Sequence, residues 1–597
     1  MSTRPGPRQE VDAERRRVLG VGAAWGMGAG GSVVAGLSAC TRRPLSALPA
    51  HVQGDWLGPV MARGHAWRDG QWATPGADTR GGSGAVRRVH VLVVGAGVAG
   101  LSAAHHLMQS GLDDLAVIDL DDQPGGNAQA HHMAGLPCPT GAHYLPMPGP
   151  QAHEVQAWLE AIGVIRQQQG RWVADERHAC HDPQERLFVP QPSPGGEQAV
   201  GLWRLGHWQD GLWPPAPEAA RQAWQRLARA IRAMRRDLGF AVPTHRAPWT
   251  PAHAALDGQS FAQWLDGLGL TDPGLRWFMD YVCRDDYGAG AQRVSAWAGV
   301  HYFASRHGLN LPAAWGTEAE PLDDAEPPDP VLTWPQGNGW LTARLAAPLG
   351  ERWQAGQMAV AVHDGRDAVA VDTVDARSGA PTRWLARQVV LALPLRLAHR
   401  LLSAPLAPLL AVQARIDMAP WLVSNLLLSA PLDARPGAPL SWDNVAFSGD
   451  GVGGLPPSLG YVDARHQSLA QPVGPSLLTH YWALGGQDAA QGRAWRRALH
   501  ERPWRDWAWA VCQDLMRIHP DLPDKLQRID LRRHGHAMVI PQPGLRGHPA
   551  LPALCRPQGV AGRLHFAHAD LSAVSVFEEA FTHGARAAAA VLAAGRA

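Results

Sequence analysis

Residues 89–111 read VHVLVVGAGVAGLSAAHHLMQSG, with glycines at 95, 97 and 100 directly after an apolar, β-branched run. Glycines at that spacing suit a tight turn from strand to helix. The first permits the turn, the second leaves the backbone bare for a diphosphate, and the third lets the helix lie close on the strand. The helix N-terminus that follows offers unpaired N–H groups and positive potential to phosphate oxygens. Nineteen residues beyond Gly100, Asp119 ends a second apolar run, residues 115–120. A carboxylate there would accept hydrogen bonds from the adenosine ribose and disfavour a 2′-phosphate. The chemistry on offer is dinucleotide binding, and it requires a βαβ unit whose first strand is buried on both faces.

Past Asp119 the chain reads LDDQPGGNA, with a second glycine pair at Gly125 and Gly126. Here the sequence resembles the FAD-dependent superfamily of flavin amine oxidases, phytoene desaturases and protoporphyrinogen oxidases, whose members carry such a pair just after the ribose acid. Asn127 stands where many members have arginine. Three later stretches resemble that superfamily in the same order: GAHYLPMP at 141–148, WPQGNGWLTARLAAPL at 334–349 with ARQVVLALP at 386–394, and GRLHFAHADLSAVSVFEEAFTHGARAAAAVL at 562–592. The resemblance implies FAD as cofactor, held by Gly95, Gly97, Ala99, Gly100, Asp119, Gly125, Gly126, Asn127, Gly141, Val360 and Asp570. It further implies that the last helix aims its positive end at the isoalloxazine ring.

The implied fold is α/β. A Rossmann-like FAD domain with a parallel sheet would be assembled from residues 89–149, 335–398 and 541–597, and an α+β substrate domain from 150–334 and 399–540. The first insertion has apolar residues at helical spacing, as in PEAARQAWQRLARAIRAMRRDLGF. The second carries short apolar segments such as WLVSNLLLSA and SLLTHYWAL between Gly and Pro turns and reads as strands.

Oxidation at flavin N5 needs a substrate held in a dry pocket and often little acid or base help, so catalytic residues are hard to read from sequence. Flavin amine oxidases usually place a lysine beside N5. The matching stretch here, residues 421–428, contains Ser424 and Asn425, and the one lysine of the chain is Lys525. His143 and Tyr144 are the leading catalytic candidates, because the resemblance puts their segment near the ring. Arg284, Asp285, Asp286, Tyr287, Trp442 to Asn444, Tyr461, His480, Tyr481, His534 and His536 are further candidates for the pocket. The expected reaction is dehydrogenation of an amine or amino acid. Desaturation of an apolar molecule and a flavin-bearing assembly factor without turnover are the alternatives. An amine site should show aromatic walls and a carboxylate; a desaturase should show a long apolar tunnel.

Composition supports two or more folding units in 597 residues and gives no field for nucleic acid: 54 basic residues face 53 acidic ones. Six cysteines without a CxxC make no disulfide framework, and the cluster His178, Cys180, His181 lacks the second ligand pair of a closed zinc site, so no metal is expected.

The chain opens with RRRVLGVGAAWGMGAGGSVVAGLSAC, residues 15–40, in which seven of the 22 uncharged residues are glycine. That is poor for a membrane span and good for an export signal. Arg15 to Leu19 resemble the twin-arginine pattern, and Leu37 to Cys40 the lipobox of bacterial lipoproteins. The expectation is export of a folded, FAD-loaded protein by the twin-arginine translocase, acylation of Cys40 and attachment on the periplasmic side of a membrane. Residues 41–88 read as a tether or a loosely packed N-terminal arm, the substrate as a small molecule, and the electron acceptor is left open. Cys40→Ala is expected to move the protein from the membrane fraction to the soluble one on cell fractionation; a variant that stays membrane-bound would refute the anchor.

Overall fold

The strand Ala85–Val94 is buried over its last four residues. It pairs in parallel with Leu115–Ile118 on one side, Val94 opposite Ile118, and with Pro381–Leu391 on the other, Val94 opposite Leu391. Trp353–Gln354 and Leu564–Phe566 add parallel strands, and Gln357–Asp364 and Val369–Asp375 an antiparallel pair, giving a seven-stranded sheet. Burial on both faces explains why the sequence shows continuous apolar runs here rather than alternation. Helices Val98–Gln109, His153–Ala161 and Phe577–Ala594 cover one face, and Leu395–Leu401, Ala407–Gln413 and Ala550–Leu554 the other. This computed structural model describes residues 47–71, 85–180, 184–190, 206–306, 308–315, 330–433, 440–467 and 474–595. The twin-arginine pattern, the lipobox with Cys40, His181 and most of the acidic stretch 317–330 lie outside them.

A second, eight-stranded sheet runs in the order Gln53–Trp56, Leu526–Val539, Met418–Leu428, Ser476–Ala483, Tyr461–Asp463, Asp443–Ala446, Glu185–Pro190, Gly206–Asp210. Its central strand Met418–Leu428 alternates between two cores. Val423 faces the helical lobe built from Glu218–Leu238, Phe261–Gly267, Pro273–Tyr287 and Ala296–Ala304, whereas Leu422 and Leu426 face Ala489–Glu501 and Trp504–Met516. The second insertion, read as strands, thus also supplies two long helices.

Of residues 41–88, the described stretches 47–71 and 85–88 are built as an arm that pairs with the folded body. Instead of a tether through 47–71, Gln53–Trp56 adds a parallel edge strand to Leu526–Val539, and Val60–Arg68 is a helix. Arg63 donates to the Leu120 carbonyl at 2.7 Å and forks onto Asp122 at 3.0 Å. The sequence hid this because the strand reads QGDW, without an apolar period, and its partner is made some 475 residues later. Residues 85–88 likewise belong to the first strand of the nucleotide sheet. Among the described residues no helix is long and apolar enough to cross a membrane.

Helices Val98–Gln109 and Phe577–Ala594 touch backbone to backbone. A Cβ on Gly584 would stand 2.2 Å from the Ala99 carbonyl oxygen, and Ser102 Oγ donates to the Phe581 carbonyl at 2.6 Å. Gly584→Ala must push the helices apart. It is expected to cost about 2–3 kcal/mol in chemical denaturation, in the upper range for overpacking; an unchanged midpoint would refute the close contact.

Candidate active site

The glycine loop is built as a cradle. Gly95 has φ +105, and its left-handed turn brings it against Ala392, whose carbonyl oxygen would lie 2.4 Å from an added Cβ. Gly97 caps helix Val98–Gln109 with no side-chain hydrogen bond, and a Cβ on it would meet nothing within 4 Å. Space therefore lies open over the loop, and the first N–H groups of the helix, Val98 and Ala99 among them, have no intrahelical acceptor. Gly125 donates to the Ala96 carbonyl at 2.8 Å, and a Cβ on Gly126 would come within 3.1 Å of Gly97 Cα, so the two glycine pairs lie together.

Asp119 stands half-exposed at the end of its strand, accepting from the N–H of Ala96 at 2.7 Å and of Asp121 at 2.8 Å. Burial pushes its carboxyl up to about 6 against the pull of those amides. Each oxygen keeps a lone pair for a ribose hydroxyl. Val360 is the extra residue of a β-bulge between Ala359 and Ala361, which takes its backbone groups out of the regular ladder. Asp570 is fully buried: Oδ2 accepts from the Leu395 N–H at 3.0 Å, while Oδ1 lies 3.1 Å from His568 Nδ1, which itself accepts from the Asp570 N–H. Bare glycines, free helix N–H groups and a buried carboxylate fit the phosphates and hydroxyls of FAD.

The Asn127 amide donates one of its two hydrogens to the Ala537 carbonyl. Gly141 serves close packing: a Cβ there would lie 1.8 Å from the Asn127 carbonyl oxygen, and its own carbonyl accepts from Tyr481 Oη at 3.1 Å. The first turn of the last helix, expected to present positive potential, carries Glu578 and Glu579, both buried. Glu579 accepts from the Thr244 N–H and the Ser572 hydroxyl.

Beyond Gly141 an aromatic box forms. His143 lies 4.9 Å from Tyr144, 5.3 Å from Trp442 and 5.1 Å from Tyr481, centroid to centroid. Trp442 Nε1 donates to His143 Nε2 at 3.1 Å, which fixes the proton of a neutral imidazole on Nδ1. Burial drives this imidazole down to about 3, so His143 is a neutral wall and a donor rather than a base at neutral pH. Tyr144, its hydroxyl held well above the usual phenol range by burial and Asp285, is likewise a donor.

Three carboxyls share this region. Glu185 and Asp443 face each other in parallel register on neighbouring strands, and Asp285 projects from helix Pro273–Tyr287 within electrostatic reach of both. Glu185 is exposed on its strand and Asp285 and Asp443 are partly buried, although protein surrounds all three closely. Burial, then the Asp286 charge, pushes Asp285 up to about 7. Burial, then Asp285, pushes Glu185 up to about 7, and burial, then Glu185 and Asp285, holds Asp443 well above the carboxylate range. Tyr281 and Tyr302 feel the same charges, and the nearby Arg306 pairs with Asp286 at 3.2 Å. Opposed like charges on adjacent strands are destabilising unless protonated or neutralised by a cation.

Sequence reading named Asp285 and Asp443 and missed Glu185, Tyr281, Tyr302 and Arg306. The Glu185–Asp443 juxtaposition depends on a register between segments far apart in the chain. Other candidates are structural. Arg284 bonds Asp280 at 2.9 Å and the Pro457 carbonyl, Tyr287 the Ala298 carbonyl, Tyr461 His519 at 2.7 Å, and His480 Asp514 at 3.1 Å. His534 reaches the Thr140 carbonyl at 2.8 Å. Asn425 bridges the Pro139 carbonyl and Thr479, each at 2.8 Å, and Lys525 pairs with Asp433 and Asp521. Among the described residues no group of three His, Cys, Asp or Glu side chains is placed to hold a metal ion.

The cradle yields a pH signature. Ribose hydroxyls bind best to ionised Asp119, so FAD release, followed by flavin fluorescence, is expected to rise as pH falls through about 6. Asp119→Ala should weaken FAD binding about 10- to 100-fold and remove that pH step, the range for hydrogen bonds to a charged group; an unchanged step would refute the role.

The sequence pattern of the family described as flavin containing amine oxidoreductase matches residues 98–592. A phytoene dehydrogenase of Streptomyces griseus is 32% identical over 132 residues, which cover 21% of this chain and 26% of that protein. The chain therefore matches about a quarter of that relative's length. The fold is similar to that of wild-type putrescine oxidase bound to putrescine, with TM-score 0.58, 18% identity, 85% of this chain and 100% of that one covered. It is also similar to cyclohexylamine oxidase from Brevibacterium oxydans IH-35A, with TM-score 0.59, 16% identity, 85% and 100% covered. With the cradle, the bulge at Val360 and the buried Asp570 in the order the family requires, the chain belongs to the flavin-containing amine oxidoreductases and takes FAD as its cofactor.

Proposed function

We propose that this chain is an FAD-dependent oxidoreductase that dehydrogenates a small amine bound as its cation, in a periplasmic, lipid-anchored setting. The observation that carries the reading is the facing pair Glu185 and Asp443 with Asp285 beside the aromatic box. Carboxylates raised toward neutrality by one another are relieved by an ammonium group, and His143, Tyr144, Trp442 and Tyr481 offer ring faces to the same charge. Bound FAD supplies a two-electron acceptor at N5. The chain binds and orients the amine, keeps its polar groups satisfied and excludes water; no lysine takes part, since Lys525 is held elsewhere. The putrescine oxidase of similar fold holds a diamine, and a cavity with more than one carboxyl suits a ligand with two ammonium groups.

The pH dependence has a definite sign. Asp285 and Glu185 keep their protons until about pH 7, so the cavity is neutral below that and negative above it. Affinity for an amine cation, read as kcat/KM with putrescine as probe, is expected to rise as pH climbs from about 6 to 8. Because these folded-state values exceed the unfolded ones, the free protein should lose stability over about pH 4–7, and the amine should raise Tm more at pH 8 than at pH 6. Asp443→Asn should cut kcat/KM for the diamine about tenfold or more and flatten the profile. The phytoene dehydrogenase likeness favours a second reading, oxidation of an apolar molecule, for which the variant and the pH would leave kcat/KM unchanged. Failure of any amine or apolar substrate to bleach the flavin anaerobically would overturn both.

A further inference from the structure

A second charged cavity lies away from the glycine cradle. Helix Leu395–Leu401, the turn at 413–417 and helix Ala489–Glu501 enclose about 490 Å³ open to solvent. Arg396, Arg400, Arg493 and Arg496 line it with His399, and Asp417 is the one acidic lining residue. None of the glycines of the cradle takes part in the lining.

The balance of charge is one-sided. Asp417 is already engaged by Arg293 at 2.7 Å and by Arg496 at 3.4 Å, and Arg293 is buried with its other nitrogen on the Gly485 carbonyl. Two guanidiniums thus share one carboxylate before the remaining three are counted. Arg496 is held in place by the carbonyls of Gly535, at 2.8 Å, and Met418. Arg396, Arg400 and Arg493 have neither ion pair nor hydrogen bond among the described residues. His399 Nδ1 is buried there without a partner, and His536, kept neutral by burial and then by Arg496, Arg396 and Arg400, adds no charge.

Arginine forks bind phosphate and carboxylate oxygens in pairs, and several converging on one volume leave a field that only an anion relieves. A volume of this size holds a small molecule. We propose that this cavity is a binding site for a small phosphorylated anion, separate from the FAD diphosphate cradle. Arg496 is its fixed floor, and Arg396, Arg400 and Arg493 are the arms that close on the ligand. The carbonyls that hold Arg496 belong to neighbouring strands of the eight-stranded sheet, Leu526–Val539 and Met418–Leu428, whereas helix Leu395–Leu401 covers the nucleotide sheet, so the site sits where the two sheets meet.

The test uses FAD-loaded protein and inorganic pyrophosphate. Calorimetric titration at low ionic strength is expected to show one saturable site, weakened by added NaCl, with a matching rise in Tm. Arg400→Gln combined with Arg493→Gln, exposed positions whose side chains hold no partner among the described residues, should weaken binding about tenfold or more, whereas Arg497→Gln on the same helix but outside the lining should not. No saturable binding, or equal affinity in the double variant, overturns the proposal. Binding of pyrophosphate only after FAD is removed, or loss of FAD from the double variant, would assign these arginines to the cofactor's own diphosphate and overturn a separate site.

Discussion

The molecule depends on how closely three stretches of backbone approach one another beneath the nucleotide loop. Gly95 lies against Ala392, Gly100 against Gly95 and Ala392, and Gly584 against Ala99. At none of these points is there room for a side chain, and together they bring the first strand, the returning strand and the last helix into one wall. Backbone crowds Gly95 and Gly100 from below, whereas a Cβ on Gly97 would meet nothing within 4 Å. The wall sets where residue 141 leaves for the substrate lobe, and so where His143, Tyr144 and the strands behind them stand.

Much of that wall was legible in sequence because it is written in local signals. Glycine spacing, β-branched runs and a ribose acid are short-range patterns, and Asp570 precedes its helix by only a few residues. The cavity chemistry was legible only in fragments. Asp285 and Asp443 could be named as polar residues, but Glu185 acquires meaning from a parallel register between Glu185–Pro190 and Asp443–Ala446 that no local pattern encodes. His143 was found by resemblance, yet its tautomer follows from Trp442, made some 299 residues later. Nor could sequence show that Asn127 donates to the Ala537 carbonyl, on a strand of the other sheet.

A chain with a net charge near zero still gathers ionisable groups of one sign in two separate places. The aromatic cavity gathers Glu185, Asp285 and Asp443, and the cavity beside helix Leu395–Leu401 gathers four arginines. Near-neutrality overall thus conceals opposite local fields, each suited to a ligand of the other sign. Strand Met418–Leu428 runs between them, with Met418 at the arginine end and Val423 in the core that carries Tyr481.

The arm Gln53–Trp56 carries a consequence for how the protein is made. It is among the first parts of the folded body to be synthesised, and its only strand partner, Leu526–Val539, is among the last. Pairing across that span is slow, and until it occurs both strands present open edges. Docking of the arm, together with the seating of Arg63 on Leu120 and Asp122, therefore serves as a check on completeness. An interrupted chain leaves this arm loose and visible to proteases, and only a chain that has reached Leu526–Val539 can dock it.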